Sequence, residues 1–202
     1  MNGKELSEII KARRSIRQFL AREIPPQLLA DIIETAATAP SAGNRRDWEF
    51  TVIVSPEIKQ QMLTATKAAW DSALNNCETE VVREELGRYR GNIEWFAAAP
   101  ALVAISCKKT PLFMTQMFSR NAEHIAGGTA SAFMAAQNLL LAAHGHGLAG
   151  CCLTGPLAAA EEFKLILQLD RRREIVCLIA LGYPADDRAD IVNQTKPTMR
   201  IV

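Results

Sequence analysis

The longest apolar stretch of the chain, residues 125–143, most narrows what this sequence can fold into. It has the length of a membrane span. It also carries Thr129, Ser131, Gln137 and Asn138, contains the pair Gly127-Gly128, and takes much of its apolar character from alanine, which brings little hydrophobicity. Such a segment reads as a helix buried in a folded domain and packed closely against other helices, with no role in a membrane. Gly145-His146-Gly147 stops it, because glycine adopts the left-handed conformation that helix ends need. A buried helix requires layers around it, and 202 residues suit one domain, residues 1–202.

The flanking segments supply those layers. Asn2 and Glu5 mark a helix start, Leu6, Ile9 and Ile10 share its apolar face, and the helix is predicted to run into Arg13-Arg14. Pro25-Pro26 opens a second helix with Leu28, Leu29, Ile32 and Ile33 on one stripe. Residues 50–54 read as a buried strand, 101–106 and 174–181 as two further strands and 149–153 as a short one. Ser55-Pro56-Glu57 starts another helix with a cap, a first-turn proline and an acid at the positive helix end. Residues 80–96 read as a charged helical segment, 158–169 as a helix, Gly182-Tyr183-Pro184 as a turn and 185–202 as an extended arm; 108–122 has mixed character. Helices and strands alternate, so the class is α+β or α/β.

Composition removes several functions. Apolar residues make up 49% of the chain, which excludes a disordered protein. Lys and Arg total 23 against 22 acids, so the net charge of +1 argues against nucleic-acid binding. The five cysteines, 77, 107, 151, 152 and 177, form no Cys-x-x-Cys pair, and reduced thiols in a cytoplasmic protein are the simplest account. The three histidines lack clustered partners, so no metal site is predicted. The N-terminus lacks the apolar run of a signal peptide, and no hydrolase motif occurs.

Three polar clusters remain. Arg13-Arg14-Ser15-Ile16-Arg17 concentrates three guanidiniums, and a guanidinium is planar, permanently charged and matched to phosphate oxygens. On a helix end Arg13 and Arg17 would share a face, and on a chain leaving the helix the side chains would fan out; the plainer reading is a solvated basic helix end. Pro40-Ser41-Ala42-Gly43-Asn44 exposes a hydroxyl and an amide, or is simple turn chemistry. GHGLAGCCLTGP, residues 145–156, has four glycines whose backbone can approach a ligand closely, or forms a helix-to-strand turn. No basic residue adjoins Cys151 or Cys152 in sequence, which favours packed thiols over reactive ones.

The order of these clusters carries more than any one of them. ARRSIRQF, then APSAGNRRDWEF, then SAFMAAQNLLLAAHGHGLAGCCLTGP, then VCLIALGYP, and an arm ending Thr198-Met199-Arg200, resembles the nitroreductase family of FMN-dependent oxidoreductases over residues 4–200. The resemblance implies an α+β fold with a central, mostly antiparallel sheet flanked by helices. It implies an intertwined homodimer with FMN at the subunit interface, the long helix at that interface and the arm crossing to the partner's sheet. It further implies that Arg13, Arg14 and Ser15 hold the FMN phosphate and ribityl chain, and that Arg17 faces the N1/O2 edge, where a fixed cation stabilises reduced flavin. Pro40, Ser41 and Asn44 would reach the flavin from the other subunit. Cys152, Leu153, Thr154 and Gly155 would lie over the ring with a backbone N–H toward N5, and Arg200 would close on the phosphate.

The implied activity is ping-pong. NADH or NADPH reduces the flavin at N5, and a nitroaromatic, quinone or similar conjugated small molecule then takes the hydride, with no catalytic side chain required. Two alternatives keep the flavin: a specialised substrate (a heterocycle, a halogenated phenol, a cobamide precursor) or a non-catalytic flavin-binding, redox-sensing protein. The sequence departs from the family in two places. Asn44-Arg45-Arg46-Asp47-Trp48 stands where Asn-x-Gln-Pro-Trp is usual, and Cys152 stands where a tryptophan commonly follows the cysteine. Residues 70–122 form the variable excursion, expected as the pocket wall.

Overall fold

The structure, a computed structural model, describes residues 3–91, 93–109, 127–185 and 198–200. Its elements are α1 (Gly3–Ala12), α2 (Pro26–Ala36), β1 (Glu49–Ile53), α3 (Pro56–Asn75), α4 (Glu80–Gly91), β2 (Ala101–Lys108), α5 (Gly127–Gly145), β3 (Ala149–Leu153), α6 (Ala160–Ile166) and β4 (Arg173–Gly182). The strands form one antiparallel sheet in the order β1-β2-β4-β3. The α+β class and the antiparallel sheet match the expectation from sequence.

The two central strands explain the layers. β2 and β4 are buried along most of their length, so both faces of the sheet need cover. On one face Val103, Ile105, Ile179 and Leu181 pack with Ile32 of α2 and Leu139 of α5. On the other, Leu102, Ala104, Leu178 and Ala180 pack with Met62 of α3, Phe163 of α6 and Phe96. The described part of α5 buries Ser131, Ala132, Ala135, Ala136, Leu139, Leu140 and Ala143, so its small residues allow the close approach that the alanines predict. No helix among the described residues is long and apolar enough to cross a membrane.

Several boundaries differ from the sequence reading. α1 ends at Ala12, before the arginines. Residues 50–54 are not a buried strand: among the described residues β1 pairs with β2 alone, and this edge position leaves Val52 at 36% and Val54 at 58% exposure. The charged segment 80–96 divides into α4 and a short 3-10 turn, Glu94–Ala98. Gly182 belongs to β4, where it pairs with Ala149 of β3, and just beyond it the N-terminal chain meets the strand's end in a Phe19–Pro184 bridge. A Cβ at Gly182 would stand 2.8 Å from both Phe19 Cδ1 and Pro100 Cδ, so only glycine lets the two segments cross. Residues 110–126, with His124 and the start of the long helix, and 186–197 of the arm lie outside the described residues.

Candidate active site

The site is built on the free edge of β3. Beyond α1 the chain runs extended and lies parallel to this edge: Ser15 bridges Gly150, and the Ile16 N–H donates to the Gly150 carbonyl at 3.3 Å. A strand presents successive backbone groups to alternate sides. The Gly150 carbonyl faces the N-terminal chain, so the N–H of Cys152, two residues on, is also directed away from β4 and toward the edge. Gly150 is needed where β3 packs on α5 and β4, since a Cβ there would meet Leu140 Cδ2 at 2.9 Å and Leu181 Cδ2 at 3.0 Å. The fold thus joins two of the sequence clusters that lie far apart in the chain.

A cavity of about 660 Å³ opens beside this edge. Arg17 and the stretch Cys151, Cys152, Leu153, Thr154, Gly155 form one side. Glu85, Arg88 and Tyr89 of α4, with Ile93 and Trp95, form another. Volumes of this order suit cofactors and small molecules. Trp70 Nε1 donates to the Gly155 carbonyl at 3.0 Å, and its ring stacks on Tyr89 with centroids 6.1 Å apart. A second cavity of about 250 Å³ lies around Arg13, Arg14, His144 and Gly150. The Arg13 Nε is buried and has no hydrogen-bond partner among the described residues. Arg14 Nη1 instead donates to the Lys11 and Arg13 carbonyls. Arg13 and Arg17 therefore do not share a helix face: the helix stops at Ala12, and the extended chain opens them on different cavities.

The other predicted residues lie elsewhere. Pro40, Ser41 and Asn44 line neither cavity. Their loop is tied to α5, because the Ala42 N–H donates to Ser131 Oγ at 3.0 Å. Within it the Arg46 N–H donates to Ser41 Oγ at 3.0 Å, and Gly43, Asn44 and Arg46 have φ of 62, 53 and 50°. Two of these left-handed positions carry side chains, a conformation that costs energy for residues other than glycine. Asp47 is held by Arg45 at 3.0 Å and Lys108 at 3.7 Å, and its carbonyl accepts from Arg173 Nη1 at 3.0 Å. Ion pairs thus fix the backbone where the family's proline is missing. Arg200 is exposed and lines neither cavity.

The thiols differ from their sequence reading. No basic residue adjoins Cys151 or Cys152 in sequence, but the fold sets Arg17 and Arg13 near them. Burial pushes the Cys151 thiol up, with Arg17 opposing. A hydrogen bond with Cys177 holds Cys152 below the usual thiol range and drives Cys177 far above it. Burial, with the nearby Glu174 carboxylate, raises Cys107 to about 11. The α4 residues at the cavity were not singled out from sequence. Their signal was Val81, Val82, Leu86 and Tyr89 on an otherwise charged helix.

Comparison with known proteins supports the family. The chain is 28% identical over 189 residues to an iodotyrosine dehalogenase 1 homolog of Caenorhabditis elegans, covering 92% of this chain but only 57% of that protein. It is 26% identical over 206 residues to the iodotyrosine deiodinase of Haliscomenobacter hydrossis, covering 98% of this chain and 88% of the relative. A solved nitroreductase with bound FMN from Bacteroides fragilis superposes with a TM-score of 0.74 at 23% identity, covering 100% of both chains. The family model described as Nitroreductase family matches residues 10–183. That span takes in all but the ends of the chain, and the protein belongs to the nitroreductase family.

Proposed function

We propose that the protein is an FMN-dependent oxidoreductase that passes reducing equivalents from NADH or NADPH to a conjugated small molecule such as a nitroaromatic or quinone. The observation that carries this reading is the Ser15–Gly150 bridge, which sets the arginine cluster against the open backbone edge of β3. The site fits the group. Among the described residues the buried Arg13 Nε has no acceptor, which suits a phosphate, and the 660 Å³ cavity beside Arg17 has room for a flat ring. When bound, FMN would supply hydride chemistry that no side chain here provides.

The chain's own residues would bind and orient. Arg13, Arg14 and Ser15 would hold the phosphate end. Arg17 would place a permanent positive charge where negative charge grows on reduction. The Cys152 N–H, at the strand edge, would donate a hydrogen bond to the ring, with Leu153, Thr154 and Gly155 beside it. Pro40, Ser41 and Asn44 would come from the other subunit of a homodimer, and Arg200 would close over the phosphate. Exposed Leu6 and Ile10 of α1 and Phe133 and Met134 of α5 favour a covering copy. No acid or base is required of the protein.

An absorbance scan of the purified protein, repeated after anaerobic NADH and then NADPH, tests the reading. A flavin spectrum that bleaches supports it; a colourless protein that takes up no added FMN overturns it. A second reading, reductive dehalogenation of an aromatic phenol, is favoured by the deiodinase names among the relatives and by the charged pair Glu85 and Arg88 on the cavity wall. Turnover of 3-iodotyrosine without turnover of a nitroaromatic would select it.

A further inference from the structure

α4 raises a question that core packing does not answer. It buries no residue, yet it carries Val81, Val82, Leu86 and Tyr89 among its charges. Val81 is 75% and Val82 49% exposed. These side chains and Trp70 of α3 surround a cavity of about 320 Å³. Glu85, Tyr89, Thr154 and Gly155 line both this cavity and the 660 Å³ one, so the two lie side by side along the seam between α4 and the end of β3.

The walls are held in place. Arg90 reaches from α4 to Asp71 of α3 with two hydrogen bonds, 2.8 and 3.4 Å. Trp70 is fixed by Gly155 and by its stack on Tyr89. At the seam the Glu85 carboxylate pairs with Arg88 at 3.0 Å, so the charge nearest the passage is already matched. What lies beyond is an aromatic and aliphatic recess that suits an uncharged apolar group.

Resting on the reading of the larger cavity as the reaction site, we infer that the acceptor is a two-part molecule: a conjugated head in the larger cavity and an apolar aryl or alkyl tail in the recess beneath α4. Val81, Val82, Leu86 and Trp70 then set specificity by the size and hydrophobicity of the tail. They touch no reacting atom.

The test is a series of 4-nitrophenyl alkyl ethers of increasing chain length, measured on the flavin-loaded full chain. Binding is followed by quenching of tryptophan fluorescence, and turnover by oxidation of the nicotinamide. Burial of each added methylene should tighten the dissociation constant about two- to fourfold until the recess is full. Val82→Asp and, separately, Val81→Asp should flatten that slope while the melting temperature holds. The slope is the readout, so a change in absolute rate decides nothing. A flat binding series in the unaltered protein, or equal slopes in protein and variants, overturns the inference. A shift of the Asp variants to a smaller oligomer also overturns it, since the patch would then be covered by another copy. A retained binding slope with no turnover of any ether instead rejects nitroaromatics as acceptors and leaves the recess standing.

Discussion

Ser15 lies beside Gly150 in a parallel bridge, and α5 and β4 leave no room for a Cβ at residue 150. Gly150→Ala puts that atom within 3.1 Å of Leu140, Leu181 and the Ala180 carbonyl. Relief requires the Leu140 and Leu181 side chains to give way or β3 to shift, and a shift of β3 carries the bridged N-terminal chain with it. The variant should lose about 1–3 kcal/mol of stability, as overpacked sites do. Displacement of the arginine strand should also weaken FMN binding. Thermal denaturation checks the first effect and a flavin titration the second.

The same bridge shows why the sequence revealed some of this molecule and hid the rest. β2 and β4 were legible as strands because short unbroken apolar runs with β-branched residues suit strands buried on both faces. α3 was legible because Ser55 and Pro56 are local signals, and Ser55 Oγ does accept from the Ile58 N–H. The relation of Ser15 to Gly150 is set by packing between distant segments and leaves no local trace. For the same reason the cluster around Arg13 was read on a helix, while the chain has already turned extended to follow β3. The role of Gly182 inside β4 was hidden too, since the crossing Phe19 that demands glycine comes from the other end of the sequence. α4 was visible as a helix, and its segment was expected to form the pocket wall, but which of its residues line the cavity was not legible, because its apolar residues follow no strong stripe.

Asp170 gives a pH signature that owes nothing to the cofactor. Its carboxylate accepts from the Arg172 backbone N–H at 2.8 Å and from the Arg172 guanidinium, which brings it from the ordinary 3.8 to about 2. A carboxyl held low in the folded state contributes stability above 3.8, and that contribution is lost as pH falls toward about 2. Asp170→Asn should therefore be less stable than the unaltered protein at pH 5. The gap should close between pH 3.8 and about 2. Urea midpoints at the two ends of that window test it; a gap that stays constant would show that the pair does not act through this titration.

Among the four cysteines of the sheet, reactivity should follow the hydrogen bonds. Cys152 is held low by Cys177, while burial raises Cys107 and Cys151. The thiolate is the reacting form. Iodoacetamide at pH 8 should label Cys152 before Cys107, Cys151 or Cys177, read by peptide mass spectrometry at short times. Added FMN should slow that labelling, because Cys152 lines the larger cavity.

Trp70→Phe isolates the hydrogen bond that ties α3 to the glycine-rich stretch. Phenylalanine keeps a ring against Tyr89 but leaves the Gly155 carbonyl without its donor. The loss should be about 1 kcal/mol, the usual net value of one such bond. Hydrogen exchange should quicken in α4 and at residues 154–156, with β2 and β4 unchanged. Uniform quickening across the sheet would mean that the indole supports the whole core rather than this seam.

Arg13→Met separates cofactor binding from folding because the two should move in opposite directions. Among the described residues the Arg13 Nε is buried and unpartnered, an arrangement that costs desolvation with no return. Methionine has a similar reach and removes that polar atom, so the ligand-free variant should be as stable as the parent or more so. A charge-assisted bond to a phosphate is worth about 1.5–3 kcal/mol, so FMN affinity should fall about 10- to 100-fold. Riboflavin, which lacks the phosphate, should lose no affinity. Calorimetric titration with FMN and with riboflavin, beside a melting curve of the ligand-free protein, reads all three quantities. If the variant is less stable and binds FMN unchanged, Arg13 is a structural side chain, and the phosphate end of the site has to be sought elsewhere along the β3 edge.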